Sequence, residues 1–592
     1  GLSKAYDTLV RFQISWTPKV NEPLEDLALV IYGPDGKLVA SSDGSQASEG
    51  INVTDRVPGV YTVLVCAFQN PPTGTAYQGS ATAYTVVPGG FPRATGVPVP
   101  TYHQFTAPKK LSTSAGEPSI GSNWKTGRTL FTSNTDEYVV AFDDKRKTST
   151  WTLVNDDVTD PSNKISLDPI GYTDSVTGRT FVSQLYLACS AAAYSDDDFA
   201  TAPTVSQGCG SGVNGFDHQT FGGGPFPENV QKLPTSTYPH AVYYCAQGQG
   251  LALGGATCSR SDDGGLTFNP PVATWTDACS GIHGHVRVAP NDGTVYLPDG
   301  KCGDKQGVAV SRDGGQTWNV RTVPDSISGE SDPSVDAGRD GTVYFGYSDG
   351  TGHPKIAVSR NRGTTWSPSV DLGAPFGVRN SEFAEVVAGD GDRAAMAFLG
   401  TTTPGSTQAD SFGKSADGTE FTGAAWHLYV ATTYDRGAHW TTVDATPHDP
   451  VQRGCIWNSG GSNPCRNLLD FNAITIDRTG RVMVGFADGC VGPDTEAGND
   501  CVDSTSVKAD KLVDHGAIVR QLSGLTLFRA FDPKGTRLPG SASAQGTRAG
   551  AVAGGRAAGG GLPATGGAPA VAGLGLLLLA AAWLVRKQQQ TR

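Results

Sequence analysis

Only two methionines occur in the 592 residues, and lysine and arginine form no long cluster anywhere in them. The formal net charge is -12, so a polyphosphate surface would be repelled rather than gathered, which excludes nucleic acid as a partner. No two cysteines stand at CxxC spacing, so zinc ribbons and fingers are excluded. The GxSxG, HExxH and phosphate-loop patterns are missing as well, and with them the chemistry those motifs carry.

What the chain has in plenty is turn formers. Gly (77) and Pro (37) make up about a fifth of it. Between them lie short runs rich in Val, Thr, Tyr and Phe, which argue for strands rather than helices. The length exceeds one ordinary core, so two or more folded units are expected. The eleven cysteines group by proximity into five local pairs: Cys189/Cys209, Cys245/Cys258, Cys279/Cys302, Cys455/Cys465 and Cys490/Cys501. Cys66 is left alone. Such bridges imply an oxidising compartment.

Residues 1–92 alternate apolar and polar positions, as in "TLVRFQISW" and "GVYTVLVCAF", and Pro34 to Gly36 is a hairpin signal. This stretch is similar to the small prepeptidase C-terminal β-sandwich appended to secreted hydrolases, a resemblance that implies a binding or spacing module. Residues 93–110, Pro-rich, read as a linker. From 111 to 530 an internal repeat appears: an acidic or His residue, a short strand, a Gly turn and a second strand. Copies include "GEPSIGSNWKTGRTLF", "HGHVRVAPNDGTVYLPDG", "SDPSVDAGRDGTVYFGYSDG" and "LDFNAITIDRTGRVMVGFADG". Units begin near 117, 168, 238, 283, 330, 382 and 470. Four strands per unit of about 40–50 residues is a propeller blade. The fold class is therefore all-β, a sandwich followed by a six- or seven-bladed propeller, seven favoured. A strand around "YHQFTAP" is expected to close the last blade.

A second line recurs inside the blades: "SDDGGLTF", "SRDGGQTW", "SRNRGTTW" and "TYDRGAHW". It resembles the Asp box, or bacterial neuraminidase repeat, of sialidase-type propellers. The aspartates Asp263, Asp313 and Asp435 can accept backbone N–H bonds across a tight turn, while the glycines supply φ > 0. They are read as structural staples. "DDKRKTSTW" and "SDDDF" are degenerate traces of the same line in the first two blades.

The chemistry is expected where innermost strands begin, beside the central channel. Those starts carry Glu117, Asp168, His240, His285, Asp332, Glu382 and Asp470, with Arg287 and Arg379 close by. Asp299, Asp349 and Asp488 follow second strands on the same face. Three readings stand side by side: each acid caps its own strand; the acids bind a hard cation such as Ca²⁺; or two carboxyl groups form a glycosidase pair. On the last reading Glu117, Asp168, Asp332, Glu382 and Asp470 are the catalytic candidates, and His240, His285, Arg287 and Arg379 bind substrate. The sialidase resemblance implies three arginines that clamp a carboxylate, the first in an Arg-Ile-Pro motif. This chain has Glu117 before Pro118 instead, and no arginine triad is evident, so the expected substrate is a neutral or cationic glycan. Trp124, Tyr347 and Trp426 are candidate sugar-stacking aromatics, "HGH" (His283 to His285) a weak metal pair, and "NVT" at Asn52 a glycosylation pattern.

Residues 531–561 are rich in Gly and Ala and read as a flexible stalk. Then comes "LPATG" (Leu562, Pro563, Ala564, Thr565, Gly566), an apolar run from Ala568 to Val585, and Arg586-Lys587. About 18 apolar residues suffice to span a bilayer. Pentapeptide, span and basic stop over 562–592 resemble a cell-wall sorting signal. That resemblance implies cleavage between Thr565 and Gly566 by a sortase, attachment to the peptidoglycan of a Gram-positive bacterium, and membrane contact through the precursor tail alone. Export requires a signal peptide, expected to have stood ahead of Gly1. The combined expectation is a secreted, wall-anchored glycoside hydrolase acting on an extracellular glycan. The alternative is a non-catalytic carbohydrate-binding protein or adhesin.

Overall fold

A computed structural model of the chain describes residues 8–534 apart from internal stretches, the longest being 18–25, 156–167, 208–216 and 491–506. The stalk beyond 534 and the sorting signal lie outside the described residues. Among those that are described, no helix is long and apolar enough to cross a membrane.

The alternating N-terminal runs form two three-stranded sheets. One orders Ser48–Val53, Thr8–Trp16 and Tyr77–Thr85; the other Leu38–Ser42, Asp26–Tyr32 and Thr62–Gln69. Successive side chains of a strand point to opposite faces. Leu27, Leu29 and Ile31 from one sheet therefore meet Ile14, Trp16, Ile51 and Val53 from the other in one buried cluster.

Seven sheets follow, each with a path of four strands, the sixth carrying one further short strand; in the first six the path runs in sequence order. Their innermost strands are Ser119–Ser122, Ile170–Thr173, Asp217–Pro225, Arg287–Val288, Ser334–Ala337, Asn380–Ala388 and Ala473–Ile476. Each lies against the innermost strand of the next sheet, and the seventh lies against the first, so the ring is closed with seven blades. The outermost strand of the seventh blade is Thr101–Thr106, paired antiparallel to His515–Ser523. The expected closing strand is thus in place, inside the stretch read as a linker, and it leaves no open edge at the seam. Just before it, Trp440 in the sixth blade donates its N–H to the Pro92 carbonyl and accepts from Ala94.

One blade differs from expectation. The third begins at Asp217–Pro225 and not near 238; His240 starts its second strand. The stretch "DHQTFGGGP" lacks the acidic-strand-turn pattern of the other starts, and glycines fill its second half. The ring requires them: a Cβ on Gly222 would stand 2.5 Å from the Val286 carbonyl, and one on Gly224 2.7 Å from a Val288 methyl. The neighbouring inner strand presses on this one so closely that only glycine fits.

The Ser/Asp stretches are turns between third and fourth strands, on the face opposite the innermost strand starts. In the fourth blade Ser311 Oγ accepts from Gly315 N at 2.8 Å, while Asp313 accepts from Thr317 N at 2.9 Å and from Thr317 Oγ1 at 2.6 Å. Asp263 and Asp435 hold the same positions. "SDDDF", degenerate by eye, makes the same turn: Ser195 Oγ accepts from Phe199 N at 2.8 Å and Asp197 from Thr201 Oγ1 at 2.7 Å. Phe199 takes φ +59° where the others have glycine. Asp313→Ala is expected to cost about 1–2 kcal/mol in chemical denaturation and to leave ligand binding on the other face unchanged.

Three of the five cysteine pairs are bridged as read from spacing: Cys245–Cys258, Cys279–Cys302 and Cys455–Cys465. Cys490 is also disulfide-bonded; Cys209 and Cys501 lie outside the described residues. Cys66 is free and exposed.

Candidate functional site

The starts of the innermost strands converge on the channel mouth. Glu117 precedes the first blade at φ +56° and is 2% exposed. Its backbone N–H reaches the Leu468 carbonyl at 3.4 Å, which ties the first blade to the seventh. Its carboxyl is hydrogen-bonded to that of Asp470. Burial, then the charges of Asp470 and Asp168, push Glu117 well above the usual carboxylate range, so it keeps its proton. Asp470 goes the other way. Burial raises it, but Arg466 lies on it in a fork, Nη1 to Oδ1 at 2.5 Å and Nη2 to Oδ2 at 2.8 Å, and holds it ionised. Arg466 is aimed by a short 3-10 turn, Pro464–Arg466, which the Cys455–Cys465 bridge fastens.

Across the mouth, Asp332 lies 3.3 Å from Nδ1 of His218, both nearly buried. Burial raises Asp332, and the His218 contact opposes it. Asp168, Asp332, His218, His283, His285 and Phe471 surround a cavity of about 10 Å³. One layer deeper, Glu385 accepts from Ser334 Oγ at 3.2 Å and sits 3.2 Å from His285 Nδ1 and 3.7 Å from an Arg287 nitrogen. Asp336 accepts from Ala388 N at 2.8 Å. Below the mouth, polar side chains of the fourth, fifth and sixth blades are thus bonded to one another across the axis.

Glu382 leaves the channel. A bulge between Glu382 and Glu385 breaks the strand's alternation. Glu385 consequently faces the axis, and Glu382 faces a second cavity, where Thr407 Oγ1 donates to it at 3.1 Å. Burial pushes the Glu382 carboxyl up to about 8.

The other expected residues lie as follows. His240 is off the channel, at the opposite end of the third blade, with Nδ1 2.7 Å from Asp174 Oδ2. Counting the third blade from the wrong strand put it at the mouth; the residue that stands there is His218. Arg379 is half-buried just before Asn380–Ala388, its N–H on the Thr401 carbonyl at 2.8 Å. Asp299, Asp349 and Asp488 staple turns: the Oδ1 of each accepts a backbone N–H, from Lys301, Thr351 and Cys490 respectively. Trp426 and Tyr347 are fully buried, and Trp124 donates to the Ile476 carbonyl while packing on Phe528, so none of the three offers a sugar platform.

His218, Glu385 and Arg466 are the members of this site that the repeat pattern did not reveal. The first stood in an unrecognised strand and the second beyond a bulge. The third sat in a bridged loop outside the repeat.

For a cation such as Ca²⁺ the ring is too spread. Among the described residues only Cys279, Asp299 and Cys302 bring three ligand atoms within 4.8 Å of one another, and those two sulfurs form a disulfide. His283 and His285 do not act as a metal pair: the first accepts burial as a neutral ring, its pKa lowered to about 3, and the second faces Glu385. The arrangement can hold a proton on Glu117 beside a fixed charge on Asp470. It disfavours an anionic ligand, because Arg466 and Arg287 both lie on carboxylates.

No family model and no curated protein matches the chain. Solved structures with some likeness include a protein of unknown function from Dyadobacter fermentans, with 12% identity, 72% of this chain and 100% of that one covered, and a TM-score of 0.36. A Hadza microbial sialidase has 13% identity, 81% and 90% coverage and a TM-score of 0.31. The GH74 xyloglucanase of Xanthomonas campestris has 12% identity, 65% and 53% coverage and a TM-score of 0.39. At such scores none of them argues for an activity.

Proposed function

We propose that the chain is a secreted, cell-wall-anchored glycoside hydrolase that takes a neutral or cationic extracellular glycan at the channel face. The observation that carries this is the Glu117–Asp470–Arg466 group, a protonated carboxyl beside an ionised one. Two titratable groups driven apart in this way are how an acid and a base are assigned at one pH. Glu117 is the proton donor to the leaving oxygen. Asp470, hydrogen-bonded to it, is closer than the roughly 5 Å that separates a retaining pair, so it serves to hold the proton on Glu117. The second carboxylate comes from elsewhere on the mouth, Asp332 on the far side or Asp168 in the adjacent blade. The Ser/Asp turns and the N-terminal sandwich support the likeness to Asp-box propellers with a prepeptidase C-terminal module. Disulfides support an oxidising, extracellular site, and the 562–592 pattern supports sortase processing and attachment to peptidoglycan.

A second reading, a non-catalytic glycan binder, is favoured by the narrow mouth cavity and by the mutual pairing of its side chains. Purified protein on a glycan panel, with product analysis and with or without EDTA, separates the two. An enzyme releases product, and Glu117→Gln or Asp332→Asn lowers turnover at least a hundredfold while the melting curve stays cooperative. Binding without product on any glycan leaves the adhesin reading standing. Removal of 562–566 in a Gram-positive host is expected to move the protein from the covalently wall-bound fraction to the detergent-extractable membrane fraction, because the apolar run 568–585 remains, and retention on the wall would refute the sorting reading.

A further inference from the structure

The N-terminal sandwich does not hang free of the propeller. Arg11, 7% exposed, donates from Nη1 to Ser328 Oγ at 2.5 Å and to Asn52 Oδ1 at 3.4 Å. Asn52 Nδ2 donates in turn to the Ser328 carbonyl at 3.0 Å. The fit is close at Gly350, where a Cβ would overlap both Asn52 Nδ2 and the Ser328 carbonyl oxygen. The charges of Glu49 and Arg11 also reach Lys301, which pairs with Glu330 at 2.6 Å. The "NVT" asparagine is therefore an interface residue: a glycan on Asn52 Nδ2 would remove the bond that seats the sandwich.

Under this seat lies a cavity of about 90 Å³. Its upper wall is Ala40, Ser41, Ile51 and Asn52 of the sandwich. Its floor is propeller, including Glu330, Asp349, Glu382 and Thr407. Hydroxyl, amide and carboxyl groups dominate the lining, beside two small apolar surfaces, and no lysine or arginine is among the lining residues. Such a lining suits a ring that presents several hydroxyls and carries no negative charge.

We propose that the sandwich forms one wall of a composite binding site for a neutral, hydroxyl-rich sugar ring, with Glu382 and Thr407 opposite Ser41 and Asn52. The sandwich is then a specificity element of the propeller and not a spacer. The ligand class rests on the carbohydrate reading above; the composite wall rests on the seat itself.

The test uses the full chain and ligand-observed NMR with methyl hexosides, N-acetylneuraminic acid serving as the anionic counter-probe. Wild type is expected to bind a hexoside and to prefer it to the acid. Ser41→Trp, which fills the cavity from the sandwich side, is expected to weaken binding at least tenfold, and Lys37→Trp, on the exposed turn of the same hairpin and outside the lining, to leave it unchanged. Thr407→Trp repeats the test from the propeller side should the first variant fold poorly. Hexoside binding that neither cavity-filling tryptophan changes would overturn the composite site and leave the carbohydrate reading intact. No binding of any hexoside to wild type would overturn both.

Discussion

Arg466→Gln will cost about 3–5 kcal/mol of stability. The reason is the company the guanidinium keeps: it is the fork on Asp470, and Asp470 is also bonded to Glu117. Removing Arg466 leaves a buried carboxylate charge in the channel mouth with only Glu117 and the more distant His218 to favour it. Asp470 should then rise into the titrating range and add a pH dependence of stability that wild type lacks at this residue. The sign follows from linkage. The group whose folded pKa was held down now has it raised, so stability is lost as pH rises. Asp470→Asn in the same chain should restore most of the loss, because the uncompensated charge goes with it. Chemical denaturation of the two single variants and the double variant measures this. Independent, additive losses would mean that the pair is not the unit described.

Glu382→Gln is expected to act in the opposite direction. In the folded protein this carboxyl titrates at about 8, against an ordinary value of 4.5. Between those two values the folded state binds a proton that the unfolded state has released, so wild type loses stability as pH rises through that window. The amide cannot ionise and retains a partner for Thr407. At pH 4 the variant should match wild type; by pH 9 it should be more stable by about 2–4 kcal/mol. Melting temperatures across that range decide the matter, and parallel curves would show that Glu382 is not held neutral. The same variant should weaken sugar binding in the composite cavity, a gain in stability at the expense of function that is characteristic of a site group.

The repeat carried much of the fold. A glycine turn after each innermost strand, a Ser/Asp turn two strands later, and the acidic or His residue at each start were enough to place six of seven blades and the closing strand. Each is a local device: a glycine at positive φ, or a side chain that binds a backbone a few residues away. Three cysteine pairs were legible for the same reason, since their partners are near in sequence. The third blade escaped because glycine has two meanings. In a loop it permits an unusual φ, whereas in Asp217–Pro225 it yields space to Val286 and Val288, and sequence alone does not say which.

The site was legible by type and not by pairing. That carboxylates gather at the mouth follows from the repeat. That Glu117 is neutral and Asp470 charged depends on an arginine in a disulfide-fastened loop, and that Glu382 faces a cavity while Glu385 faces the axis depends on one bulge. Arg11 and Asn52 look like outward-facing residues of alternating strands, yet both reach Ser328, 276 positions beyond Asn52. By itself the sequence determined an all-β chain of repeated blades, the turns that make them and the residues that open them. Tertiary structure alone decided which of those residues share a proton, which face a cavity, and that the sandwich walls one. Periodicity records contacts between neighbours in the chain, whereas burial and charge pairing depend on which distant segments the closed ring brings together.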